Sequence, residues 1–87
     1  MEINVIVSDL KSMIINDCDK HELSEDMILD DEILVGNEGR VNLDSLDILQ
    51  LSVAIKNKYG VRIERNAESR NAFVNLKNLA TYIQDQL

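Results

Sequence analysis

The chain of 87 residues has the length of one domain, and its 45% apolar content is enough for a core. Aromatics make up only 3%, so that core is aliphatic, and a single cysteine rules out an internal disulfide. A net charge of −7 argues against nucleic acid as a partner, since binding phosphates depends on basic side chains.

Ile3, Ile6, Val7, Leu10, Met13 and Ile14 recur at i, i+3, i+4 and i+7, which predicts an amphipathic helix over residues 2–16. From residue 16 to residue 43 no period persists. Gly36 and Gly39 mark turns there, and Leu23, Ile28, Ile33 and Leu34 read as pins that fasten a long loop to the core. A loop of this length is uncommon unless it is functional or packed by its own side chains. A second helix runs from about residue 44 to 59 and stops at Gly60, with Lys56 and Lys58 in its last turn, where cations suit the dipole. Asn66 is placed to cap a short third helix holding Ala67, Ala72 and Phe73. Leu76, Leu79, Ala80 and Ile83 form the face of a last helix over residues 75–86. No alternating strand pattern of useful length occurs. The expected fold is all-α, a single domain over residues 1–87. It is a four-helix bundle with three long helices, one short helix and a long acidic loop between the first two.

Charge is unevenly distributed. Residues 17–38 hold nine acids against Lys20 alone, a net of −8, whereas residues 39–87 carry a net of +2. An acidic segment attracts basic partners and speeds encounter, although charge runs commonly serve only to solvate a loop. No stretch approaches a membrane span, and the start Met1-Glu2, interrupted by Asp9, is unlike a secretory signal. The lone cysteine fits a reducing compartment, and the expected location is cytoplasmic.

One hydroxyl has surroundings that point to chemistry. Ser45 lies in the run Asn42-Leu43-Asp44-Ser45-Leu46-Asp47-Ile48. Asp44 is a good N-cap, Asp47 stands where a capping box holds its acidic member, and Ser45 is then the first helical residue. Backbone N–H groups and the macrodipole favour an anion there, including a phosphate carried by Ser45. The same helix has two apolar stripes. At about 100° per residue, Ile48, Leu51, Ile55 and Tyr59 share one side, the core side. Leu46, Leu49 and Val53 form a second stripe well over 100° away on average, continued by Gln50 and Asn57. If left at the surface, it is a docking face; the bland reading is that the third helix or the loop covers it.

Other candidates are weaker. Cys18 and His21 are three apart, but no orienting third group is evident for a Cys–His nucleophile. Asp17-Cys18-Asp19 begins like a calcium loop, yet the sixth position is Glu22 and the twelfth is Ile28, so the EF-hand pattern fails. Diffuse divalent binding to the acidic loop remains open. No Walker motif, zinc spacing or Gly-rich dinucleotide loop is present, and no protein-held metal is expected.

The Asp44-Ser45-Leu46 motif with Asp47 resembles the attachment signature of the acyl carrier proteins. The amphipathic helix before it, the acidic loop, the Tyr59-Gly60-Val61-Arg62-Ile63 helix exit and the Leu79-Ala80-Thr81-Tyr82-Ile83 helix are similar too, so the likeness covers nearly the whole chain. The resemblance implies a carrier and not an enzyme. Ser45 would hold a covalent 4′-phosphopantetheine arm from coenzyme A, whose thiol carries acyl groups as thioesters in fatty acid or polyketide-type biosynthesis. Asp44 would place the helix end and the transferase's metal ion, while Leu46, Asp47, Leu49 and Val53 dock successive partners and the aliphatic interior shelters part of the acyl chain. Implied partners are a phosphopantetheinyl transferase, an acyl or malonyl transferase and a ketosynthase, acting on a monomer. Residues 59–63 and the tail from Ser69-Arg70-Asn71-Ala72-Phe73 to Ile83 are similar to discrete carriers of bacterial specialised type II pathways, such as aryl polyene assembly. Gln50, Lys56, Asn57 and Lys58 depart from the family, whose second helix is usually rich in acids, and this points to a dedicated partner set. An aryl or peptidyl carrier of non-ribosomal synthesis is a close alternative. From another class, the alternative is an acidic helical adaptor with no prosthetic group.

Overall fold

A computed structural model of the chain describes residues 2–64 and 66–87; Met1 and Arg65 lie outside the described residues. Four helices follow in order: α1 (Ile3–Asp17), α2 (Ser45–Tyr59), α3 (Ala67–Ala72) and α4 (Leu76–Gln86). Among the described residues there is no strand, only an isolated bridge between Val35 and Leu43. The fold is the expected small all-α bundle, with three long helices and one short one.

Local signals account for most helix ends. Asp44 and Asp47 form the capping box at the start of α2: the Asp47 N–H donates to the Asp44 carboxylate at 2.9 Å, and the Asp44 N–H donates to that of Asp47 at 3.1 Å. Asn66 and Ser69 make the same reciprocal pair at α3, and Asn75 caps α4 through the Asn78 N–H at 2.7 Å. Gly60 ends α2 in the left-handed conformation, φ +71°, where a side chain would be strained. Phe73 stands just past α3 as its C-cap, not within the helix.

The core is aliphatic. Ile6, Leu10 and Ile14 of α1, Leu51 and Ile55 of α2, and Leu76, Leu79 and Ile83 of α4 are each fully buried. The most extensive helix packing joins α1 to α4. Ile48 and Tyr59 extend the α2 core stripe but stay half-buried. The Tyr59 hydroxyl donates to Asp9, whose other oxygen is 3.2 Å from Lys58 Nζ, so the end of α2 is tied to the middle of α1.

The segment from residue 18 to 44 contains one 3₁₀ turn, Glu25–Met27, and is otherwise irregular. Ile28 and Leu34 are buried pins as expected, and Leu23 is half-buried against the core. Ile33 is not a pin. It is 39% exposed because Leu34, the next residue, points inward and its N–H donates to the Val74 carbonyl at 3.0 Å. Val41 and Leu43 fasten the far end of the loop, both fully or nearly fully buried. Leu43 N–H donates to the Leu34 carbonyl at 2.8 Å, and Gly36 N–H to the Leu43 carbonyl at 3.2 Å, closing residues 34–43 on themselves. Gly39 is required by a close approach, since a Cβ there would collide with the Ile33 carbonyl oxygen and crowd the Glu32 side chain. Among the described residues no helix is long and apolar enough to cross a membrane.

Candidate functional site

Ser45 is the first residue of α2 and is exposed. Its neighbours in the first turn are already engaged with one another. The Asp44 carboxylate is held below the usual carboxylate range, chiefly by the Asp47 backbone N–H, and so stays ionised. The expectation of a free helix end waiting for an anion is therefore modified: Asp44 already occupies the N–H group of the third helical residue. An anion on Ser45 still sits at the positive end of the dipole, but shares it with a carboxylate.

Asp47 is the other engaged group. Its side chain is only 16% exposed, and Lys20 Nζ lies 3.5 Å from Oδ2. The same ammonium reaches the Asn42 carbonyl at 3.5 Å. Asn42 and Asp19 both take positive φ, 50° and 56°, a conformation that Asn and Asp tolerate better than most residues, and these turns bring Lys20 back to the start of α2. The Cys18 thiol donates to the Asp47 carbonyl at 3.4 Å. Cys18 is buried, and desolvation, aided by the charges of Asp47 and Asp17, pushes its thiol up to about 11. Its side chain packs with the core. His21 does not join it but stands 3.0 Å from Asp19 at the surface. Among the described residues no group of three or more His, Cys, Asp or Glu is arranged to hold a metal ion.

A groove of about 710 Å³ opens beside Ser45, within the range of roughly 300–1,000 Å³ typical of small-molecule sites. Ser45, Ile48, Leu49 and Ser52 form its α2 wall, and Ser69, Arg70, Phe73 and Val74 form the wall from α3 and the residues after it. Ile33 and Val35 of the loop and Ile63 and Glu64 of the α2–α3 connection complete it. This explains Ile33: its exposed side chain lines a groove. The groove was not legible in the sequence, because its walls come from four separate segments with no shared period.

The second stripe of α2 lies at the surface. Leu46 is 72% exposed, Leu49 52% and Val53 48%. Neither α3 nor the loop covers them. Leu49 belongs to both the stripe and the groove, so the two surfaces meet next to Ser45.

No family model, no curated protein and no solved structure matches the chain.

Proposed function

We propose that this chain is a carrier protein that holds acyl intermediates as thioesters on a 4′-phosphopantetheine arm attached to Ser45. The observation that carries the reading is the position of Ser45. It is an exposed hydroxyl at the first residue of a capped helix, on the wall of a groove large enough for a small acyl group. The residues fit the group, because Ser45 is open to a modifying enzyme while Ile48, Leu49, Ile63 and Phe73 offer apolar contact beside it. When bound, the arm supplies a terminal thiol for thioester chemistry.

Loading would exchange the phosphoanhydride of coenzyme A for a phosphodiester on Ser45. The Ser45 oxygen attacks the coenzyme A phosphate nearest the pantetheine, a new phosphorus–oxygen bond forms, and the bond to the adenosine phosphate breaks. Adenosine bisphosphate leaves, and the hydroxyl proton passes to the transferase, which brings the metal ion. Ionised Asp44 keeps the helix end fixed and adds a negative charge near that cation. The pathway is of the fatty acid or polyketide type, with the transferase, an acyl or malonyl transferase and a ketosynthase as successive partners of a cytoplasmic monomer.

Incubation with coenzyme A and a broad-specificity phosphopantetheinyl transferase should add one phosphopantetheine mass, absent in Ser45→Ala. Ser45→Ala should leave the helical circular dichroism signal nearly unchanged, since the side chain is exposed. No adduct across several transferases, or an adduct on another residue, refutes the reading. The first outcome favours the adaptor, for which the exposed stripe of α2 is the supporting observation. The acyl mass on protein from its own host separates an acyl from an aryl or peptidyl carrier.

A further inference from the structure

The exposed face of α2 has a charge pattern that limits what can sit on it. Leu46, Leu49, Gln50, Val53, Lys56 and Asn57 are all exposed, and at about 100° per residue they share one side of the helix with Ser45. Asp47 is the only acid in α2, and it is turned off this side, locked in the capping box and paired with Lys20. Lys58 is also turned away, toward Asp9 of α1. The face thus presents an apolar stripe, two neutral amides and one cation, Lys56, with the ionised N-cap Asp44 at its Ser45 end. Its wider setting agrees, since residues 39–87 have a net charge of +2 and the excess acid lies in residues 17–38.

We propose that this face docks a protein partner whose contact patch is apolar and carries a carboxylate against Lys56, not a cluster of basic residues. This rests on the carrier reading only for its purpose, which is to bring an enzyme to Ser45. Exposed apolar groups side by side mark interaction surfaces, and Leu46, Leu49 and Val53 offer such a surface to a partner. Charge at the rim sets encounter rate and excludes wrong partners. A basic patch laid along Leu49, Val53 and Lys56 finds no carboxylate, since Asp44 stands only at the Ser45 end, and it meets Lys56 with like charge. An acidic one finds its complement.

Two amphipathic helical peptides test this, identical in their leucine stripe and differing only in glutamate or lysine flanks. They are titrated at physiological salt into isotope-labelled protein without the prosthetic group, followed by nuclear magnetic resonance. The glutamate-flanked peptide should shift the amide signals of Leu46, Leu49, Val53 and Lys56. Lys56→Glu should weaken that binding about fivefold, the effect of an exposed ion pair at the upper end of its range. The lysine-flanked peptide should shift signals in residues 17–38 instead. The proposal is overturned if the lysine-flanked peptide binds the α2 face as well or better, or if neither peptide moves those signals. It is also overturned if the stripe signals shift with protein concentration alone, because a second copy is then the occupant. None of these outcomes depends on Ser45 being loaded, so the coenzyme A adduct remains a separate test of the carrier reading.

Discussion

Leu51→Ala and Val53→Asp alter neighbouring positions of α2 and should have very different costs. Leu51 is fully buried, and truncating such a residue costs about 2–5 kcal/mol through lost transfer energy and the cavity left behind. In a domain of this size each kcal/mol moves the melting temperature by about 4–8 °C, so the loss is roughly 8–40 °C. Val53 is 48% exposed, so only about half of its burial energy of about 1.5 kcal/mol is at stake. Asp and Val have similar helix propensities, and an Asp three positions before Lys56 recovers about 0.3 kcal/mol. The net cost is below about 1 kcal/mol. Urea unfolding followed by circular dichroism, analysed as two-state, measures both. In a loading assay with the transferase, Val53→Asp should be slower at low carrier concentration while folding normally. A Val53→Asp loss that matches Leu51→Ala would mean that the stripe is core, and the exposed-face argument would fail with it.

Tyr59→Phe removes the hydrogen bond to Asp9 and should cost about 1 kcal/mol near neutral pH, at the low end for a charged acceptor because Asp9 is partly exposed to water. That bond, then Lys58, holds the Asp9 carboxyl below its ordinary range, so the stability it contributes is present above the unfolded carboxyl value and lost as pH falls through the folded one. Urea midpoints for wild type and Tyr59→Phe should therefore converge at acid pH, and a gap independent of pH would refute the assignment. Gly39→Ala should lower the melting temperature, at a cost of about 1–3 kcal/mol, because the Cβ meets a backbone oxygen that cannot swing aside. A neutral or stabilising Gly39→Ala in a thermal melt would show that the loop is free to shift.

Sequence and structure agree where the determinants are local. The 3.6-residue period delimits α1 and α4 to within a residue or so, and the Asp44–Asp47 and Asn66–Ser69 caps mark where α2 and α3 start. The two stripes of α2 separate into covered and exposed sides because a helix repeats its own geometry. What was not legible depends on residues far apart in the chain. Tyr59 and Asp9 are 50 positions apart, and nothing local marks them as partners. Val41 and Leu43 look like any loop aliphatics until the 34–43 segment folds back to bury them. Cys18 lies in a strongly acidic stretch, yet it is covered because the turn at Asp19 carries the chain back toward Asp47. The groove combines these failures, since its walls come from four separate segments of the chain.

The packing of α1 on α4 has a consequence for how the chain is made. Ile6, Leu10 and Ile14 share one core with Leu79 and Ile83, and α1 packs most extensively on α4, which is made after α1, α2 and α3. Until residues 76–86 emerge, the apolar side of α1 lacks its main cover, and the nascent protein is open to chaperones and to aggregation. Folding must then close a contact between the first and last helices, whose loop-closure entropy comes before any reward from burial. The apolar side of α1 therefore has to wait for α4 before it is covered.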